Sequence, residues 1–425
     1  MSLSSVQKRE EKYLLHTYDR LPVLLMHGKG AYLYDEDGGK YLDFLSGIGV
    51  MALGYSHPAI TKVIREQVGK LVHVSNLFYT EYPSELAQKL VKLSGLDRVF
   101  FSNSGTEAWE GALKFARAVA SGKGLKKRTK FLALENSFHG RTMGSMATTY
   151  TEKYRKPFAP VMPGVTFVKF DDVEDLKQKF DDDVCAVCIE TIQGEGGIRP
   201  VSREFMKTAR ELTQKSGALL VLDEIQCGLG RTGKMFAYQY YGVKPDVVTL
   251  AKPLAAGLPL GAILMTADVA GAIHPGMHGT TFGGGPLACA VALEVLKVME
   301  DEKILAHVKD VGGYFLDLLQ QLDARHGCIV DVRGVGLMVG LELDSADLAK
   351  AVQKTMLEHK IIINRTHEKV LRFLPPFIVT KKQVEVVVKA LDRILSSCAS
   401  TGDAAPAIKR SPRQRLPKAL ASTAK

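Results

Sequence analysis

Short β-branched and apolar runs alternate with longer stretches of helical spacing through the middle of the chain. RVFFSN (98–103), KFLALEN (130–136), AVCIET (186–191), ALLVLDE (218–224) and DVVTLAK (246–252) read as buried strands. Between them, TEAWEGALKFARAVA (106–120) and REFMKTARELTQKSG (203–217) read as helices. In the second, Phe205, Ala209 and Leu212 recur at helical spacing and Gly217 suits a C-cap. Strands alternating with helices predict an α/β domain with a mostly parallel sheet and right-handed crossovers. From about Ala292 the pattern changes. One long helical stretch (292–324) leads to an alternating strand pair with glycine turns, IVDVRGVGLMVGLEL (329–343), then a helix (346–360), the runs IIINR and VLRFLPPFIV, and a last helix to about Ser397. This is the pattern of a smaller α+β domain. The expected division is an N-terminal segment 1–55 contributing to the small domain, a large cofactor-binding domain 56–295, a C-terminal small domain 296–400, and a tail 401–425. The tail is rich in Ala, Pro and Lys/Arg, a composition that predicts disorder. There is no internal repeat.

Composition adds mainly exclusions. With 425 residues, 46% hydrophobic and 24% charged, the chain has material for two or three ordinary globular domains and does not suit collagenous, disordered or disulfide-scaffold classes. No apolar run reaches the roughly 20 residues of a membrane span. The first twenty residues mix acids with bases around no apolar core, so the expected location is the cytoplasm. The net charge of +10 divides between the loop GKGLKKRTK (122–130), worth +5, and the tail, worth +5, leaving the rest neutral. Neither patch carries interleaved aromatics, so nucleic-acid binding is not the expected task. Six cysteines are scattered. The CxxC of Cys185 and Cys188 lies in a strand, where positions three apart face opposite ways, so buried thiols are expected and no metal site.

The chemistry gathers where the strands end, the place where open α/β sheets bind ligands. RVFFSN runs into Ser104-Gly105-Thr106-Glu107, and KFLALEN into Ser137-Phe138-His139-Gly140-Arg141. AVCIET brings Glu190 and then Gln193-Gly194-Glu195-Gly196-Gly197, ALLVLDE brings Asp223 and Gln226, and DVVTLAK brings Lys252. SNSGTEA opens a helix with bare amides beside a glycine, which makes a phosphate seat, although an ordinary N-cap reads the same. Asp223 closes a strongly apolar strand, where a carboxylate needs a partner; a salt bridge would serve, and so would a protonated pyridine nitrogen. Lys252 ends another apolar strand, where desolvation favours nucleophilic use, although a snorkelling lysine also ends strands. Phosphate seat, buried aspartate and strand-end lysine together describe pyridoxal 5′-phosphate.

The same residues carry a family resemblance. SNSGTEA, SFHGRT, IQGEGG, LDEIQCGLGRTG, LAKPLAAGLPLGA, HGTTFGGGPLACA and LRFLPPFIV, in this order, resemble the class III (ornithine/acetylornithine-type) aminotransferases, pyridoxal-phosphate-dependent transferases of fold type I. The resemblance runs from about Tyr18 to Ser397. It implies that Lys252 holds the cofactor and shuttles a proton, that Asp223 pairs with the pyridine nitrogen, and that Gln226 touches the phenolic oxygen. Ser104, Gly105 and Thr106 would hold the phosphate, with Thr281 contributed across a homodimer with shared active sites; Phe138 would stack on the ring. Arg141 would take a substrate carboxylate. Arg372 would take a second one, masked by Glu195 while a terminal amine reacts.

Ile48 stands where ornithine-specific relatives are expected to carry a tyrosine, which points to an acylated α-nitrogen. N-acetylornithine with 2-oxoglutarate is therefore the leading expectation. Succinyldiaminopimelate, succinylornithine, ornithine, 4-aminobutyrate and carrier-linked lysine precursors are neighbouring donors. Some positions depart from the family pattern: Pro253, Ala255 and Ala256 after the lysine, Gly285 for Asn, and Thr191 for Pro. The two alanine methyls are expected to narrow the cofactor pocket or shift its loop. An aminomutase would use the same lysine and aspartate. A dinucleotide oxidoreductase is disfavoured because the glycines of GVGLMVGLE lie in a strand pair, not in a turn that opens a helix.

Overall fold

The computed structural model of the chain describes residues 2–400, with side chains to Ser397; the basic tail 401–425 falls outside the described residues. After a helix Leu3–Tyr13 with no buried residue, the chain forms an antiparallel meander, β1 (Leu25–Lys29), β2 (Tyr32–Asp35) and β3 (Lys40–Asp43). Ile361–Ile362, more than three hundred residues later, adds in parallel to β3. The N-terminal segment is thereby stitched to the C-terminal part of the chain.

The large sheet comprises β4 (Arg98–Ser102), β5 (Lys130–Leu134), β6 (Val165–Val168) and β7 (Val184–Glu190). A two-residue-per-strand hairpin follows, β8 (Ile192–Gln193) and β9 (Arg199–Pro200), then β10 (Leu219–Asp223), β11 (Val247–Leu250) and β12 (Gly261–Met265). The spatial order is β4-β12-β11-β10-β7-β5-β6, with parallel pairs except where β12 runs antiparallel to β4 and β11. Buried on both faces, these strands are continuous apolar runs, as parallel strands covered by helices must be. Helix Gly105–Gly122 packs Ala108, Trp109, Ala112, Phe115 and Ala116 on one face of the sheet. Helix Arg203–Ser216 closes as expected on Gly217 in the left-handed region (φ 77°), with Ser202 as its N-cap. β6 and β12 escape a sequence reading because each is a short apolar run beside Gly/Pro-rich loops.

A second antiparallel sheet of four strands joins β13 (Ile329–Val335), β14 (Met338–Leu343), β16 (Asn364–Thr366) and β17 (Val370–Phe373) in the order β13-β14-β17-β16, the strand Ile361–Ile362 of the N-terminal sheet being β15. The long helical stretch expected over 292–324 is two helices, Pro286–Asp301 and Ile304–Arg325. They break at Lys303, whose φ of 52° no helix tolerates and no Gly or Pro announces.

Two surface readings change. A bulge in the β5–β7 pairing skips Cys185, because Lys130 pairs with Val184 and Phe131 with Ala186. The bulge shifts the alternation, so Cys185 and Cys188 join the same apolar layer instead of facing opposite ways. Both are unpaired thiols, and burial pushes Cys185 up to about 12. In the basic loop, Arg128 donates to the Asp182 carbonyl (2.8 Å) and the Ser216 carbonyl (2.6 Å), while Lys130 pairs with Asp181 (2.6 Å). Two of the five cations therefore fasten the loop to the acidic 181–183 turn.

Candidate active site

The C-terminal ends of the parallel strands meet around a cavity of about 420 Å³, within the ~300–1,000 Å³ range of small-molecule sites. Its wall includes Ser104, Gly105, Thr106, Phe138, Arg141, Asp223, Gln226 and Lys252. Because β12 runs backwards, the residues before it, Pro259 and Leu260, complete the rim.

At the end of β4, Ser104 caps helix Gly105–Gly122 by accepting from the Glu107 N–H (3.3 Å). The Glu107 carboxylate reaches back to the Asn103 N–H (2.7 Å) and Nδ2 (2.9 Å). The Gly105 and Thr106 amides carry no partner among the described residues, so the positive end of a long helix faces the cavity. A Cβ on Gly105 would stand 2.9 Å from the Ile225 side chain, so a larger residue here would have to push Ile225 aside. Thr106 Oγ1 is tied to Thr142 and Ser145 at 2.9 Å each. Gly140 covers it at φ 135°, a conformation open only to glycine.

The floor is acidic. Asp223, 5% exposed, accepts from the Ile225 N–H (3.0 Å) on Oδ1 and faces His139 Nδ1 (2.7 Å) on Oδ2. His139 lies flat on Trp109, ring centroids 3.9 Å apart and planes 4° from parallel. Glu190 pairs in register with Asp223 on the next strand. Its two oxygens accept the Phe138 and Gly194 N–H groups, both at 2.9 Å. Burial, then the charge of Asp223, push Glu190 up to about 8. A third buried carboxyl, Glu224, accepts from Ala237 (2.7 Å), Tyr238 (2.6 Å) and the Thr191 hydroxyl (3.1 Å). That last bond accounts for Thr191: a proline there has no hydroxyl to give.

Lys252 follows β11 and sits at φ 31°, a strained conformation for a side-chain-bearing residue of the kind that collects at active sites. Burial lowers its ammonium below the ordinary lysine range, against the pull of Asp223 and Glu195. The short 3₁₀ turn Lys252–Ala255 then ends on Ala256 at φ 47°, in the left-handed region. Of the two effects expected of Ala255 and Ala256, a narrower pocket or a shifted loop, the first is not seen. Ala255 is buried in the core and neither alanine reaches the cavity wall, so their cost is backbone strain at Ala256 instead.

Beyond Gln226, Arg372 of β17 is buried (1% exposed) and donates to Glu195, to Gln226 Oε1 (3.3 Å) and to Asn364 Oδ1 (3.1 Å). Burial raises the Glu195 carboxyl, but the Arg372 guanidinium outweighs it and holds the group below the ordinary range. Arg141 is exposed at the mouth, 3.5 Å from the Tyr154 ring centroid, and has no acidic partner among the described residues. Ile48 lies outside the cavity wall, 40% exposed, in a run of left-handed residues from Ser46 to Gly49 that delivers Val50 to the wall. Thr281 is exposed and borders a separate cleft with Asn76, Phe78 and Tyr79. His139, Trp109, Asn364 and Thr366 were not picked out by sequence reasoning. His139 lies inside SFHGRT, two residues before Arg141, and that placement was the available signal.

The sequence profile of the family described as Aminotransferase class-III matches residues 13–395. The chain belongs to the class III aminotransferases. The acetylornithine aminotransferase of Methanocaldococcus jannaschii is 46% identical over 393 residues, covering 91% of this chain and 97% of that one. The acetylornithine aminotransferase of Aquifex aeolicus is 46% identical over 384 residues, covering 90% and 100%. Among solved structures, the Toxoplasma gondii ornithine aminotransferase, described with partial occupancy of PLP at its active site, superposes with a TM-score of 0.90 at 32% identity, covering 94% and 96%.

Class III aminotransferases work with pyridoxal 5′-phosphate, and the cavity fits that group on its own chemistry. It offers unpartnered amides at a helix N-terminus for a phosphate, a buried carboxylate for a ring nitrogen, an aromatic side chain and an enclosed lysine.

Proposed function

We propose that this class III aminotransferase moves the terminal amine of N-acetylornithine to 2-oxoglutarate, giving N-acetylglutamate 5-semialdehyde and glutamate, a step of arginine biosynthesis. The observation that carries this reading is the unequal pair of arginines. Arg141 stands at the mouth without an acidic partner among the described residues, and Arg372 is buried against Glu195. An ω-amino donor brings one α-carboxylate and needs one open cation. 2-Oxoglutarate brings two carboxylates and needs both, so a carboxylate that covers Arg372 in one half-reaction and leaves it in the other lets one site serve both.

Bound pyridoxal 5′-phosphate supplies an electron sink for negative charge developing beside the reacting nitrogen. The chain does the rest. The Gly105 and Thr106 amides would hold the phosphate and Asp223 would keep a proton on the ring nitrogen, while His139 and the Ile225 amide hold Asp223 in place. Phe138 and Gln226 line the same cavity and would cover the ring and contact its phenolic oxygen. Lys252, lowered by burial, would act as the base that takes the proton from the donor carbon bearing the reacting nitrogen and as the acid that returns it from the same side. Arg141 binds the donor's carboxylate by a bidentate fork.

Ile48 and the curated relatives' names favour the acetylated donor. The same proposal makes the enzyme a homodimer, with Thr281 completing the partner's phosphate site. Support comes from the apolar surface beside Thr281, where Leu77 is 87%, Phe78 67% and Phe282 65% exposed. A cytoplasmic location belongs to this proposal too, and cell fractionation checks it. A donor panel with 2-oxoglutarate tests the substrate. N-acetylornithine should exceed ornithine, succinyldiaminopimelate and 4-aminobutyrate in kcat/KM, and any of these outrunning it would replace the assignment.

A further inference from the structure

We propose that Thr366 is a specificity-determining positioning residue, the latch that holds Glu195 over Arg372. The inference deepens the reading of Glu195 as the mask of Arg372 and rests on it. β16 and β17 form a hairpin in which Asn364 stands opposite Arg372 and Thr366 opposite Val370. Residues 364, 366, 370 and 372 therefore share one face, and this face lies against the turn that carries Glu195. Arg372 grips the carboxylate through Oε1. The Thr366 hydroxyl, on a residue 4% exposed, donates to the Glu195 carbonyl at 2.6 Å and stands 3.3 Å from Oε2. The hairpin turn is held through His367 and Glu368 at φ 46° and 58°, values that side-chain-bearing residues adopt only under constraint.

The rest of the turn is fixed as well. The Gly194 N–H donates to Glu190 (2.9 Å), and the Gly197 carbonyl accepts from Arg333 Nε (2.7 Å). With the backbone anchored on both sides and at the Glu195 carbonyl, the side chain of Glu195 is the part left to move. Thr366 touches Oε2 only while the carboxylate covers Arg372. Its hydroxyl therefore favours the masked arrangement over the open one, and a group that favours one of two states shifts the balance between them.

The test uses the holoenzyme and measures both half-reactions, the terminal amine of N-acetylornithine against the α-amine of glutamate, together with competitive inhibition by glutarate. Thr366→Val keeps the shape and removes the hydroxyl. It should raise the glutamate to N-acetylornithine ratio of kcat/KM by about three- to tenfold, the worth of one shared hydrogen bond, and tighten glutarate by a similar factor. Thr366→Ser should restore both to near the wild-type values, which a purely structural role would not require. Thr366→Ala takes the place of the valine variant should that fail to fold. Glu195→Gln separates the two claims. If it raises the ratio while the folded Thr366 variants leave it unchanged, the latch is overturned and the mask stands. If Glu195→Gln itself leaves the ratio unchanged, the mask falls and the latch with it.

Discussion

His139→Phe is the sharpest probe of how the site is built. The buried Asp223 carboxylate has two partners, the Ile225 N–H at 3.0 Å and His139 Nδ1 at 2.7 Å. Phenylalanine keeps a flat ring on Trp109 and deletes the second partner. Losing a hydrogen bond to a buried charge costs about 1.5–3 kcal/mol. Part returns, because His139 Nε2 is itself buried with no partner among the described residues, and burying such an atom costs about 1 kcal/mol or more. A net loss of about 1–2 kcal/mol in the cofactor-free protein is expected, with cofactor affinity down roughly tenfold, since each 1.4 kcal/mol is a factor of ten. Urea denaturation reads the first. The second is read by quenching of Trp109, the single tryptophan of the chain, stacked on residue 139 beside the cavity. An unchanged urea midpoint together with half-saturation by cofactor within twofold of wild type would refute the claim that His139 sustains Asp223.

Three further outcomes follow from the same geometry. Glu190 is raised to about 8 from an ordinary 4.5, so its neutral form favours the folded state fully below the lower value, and that contribution is lost as pH rises through the upper one. The stability of Glu190→Gln relative to wild type should therefore climb between about pH 5 and 8, by up to ~1.4 kcal/mol per unit in the cofactor-free protein; a flat difference would show that Glu190 is ionised throughout. Ala256→Gly relieves a left-handed alanine and should add about 0.5–1 kcal/mol to stability with turnover unchanged; a lower urea midpoint would count against strain at that turn. Lys252→Ala should abolish the violet absorption of lysine-bound cofactor and lower turnover by about 10²–10⁴-fold, and retention of either would move the reaction to another lysine.

The strand ends were legible because burial forces it. A strand covered on both faces must be apolar, so Asp223, Glu190 and Lys252 at the tips of such strands stand out as charges that packing does not ask for. What stayed hidden depends on contacts between distant segments. Nothing near His139 in the sequence shows that Asp223, 84 positions on, will receive its Nδ1, or that Trp109 will lie beneath it. Thr366 reads as an ordinary strand residue until the hairpin brings it to Glu195, 171 positions away. The alanines after Lys252 were misread because a one-dimensional reading cannot tell which side of a turn a methyl faces. The thiols of the CxxC are buried as expected, and only their facing differed, because a one-residue bulge reverses the alternation of a strand.

The central claim is that this cavity moves one particular nitrogen. N-acetylornithine labelled with ¹⁵N only at the terminal amine, incubated with the holoenzyme and 2-oxoglutarate, should give glutamate carrying the label in equal amount to the semialdehyde formed. Unlabelled glutamate, or no glutamate while another amine on the donor panel is consumed, would contradict it.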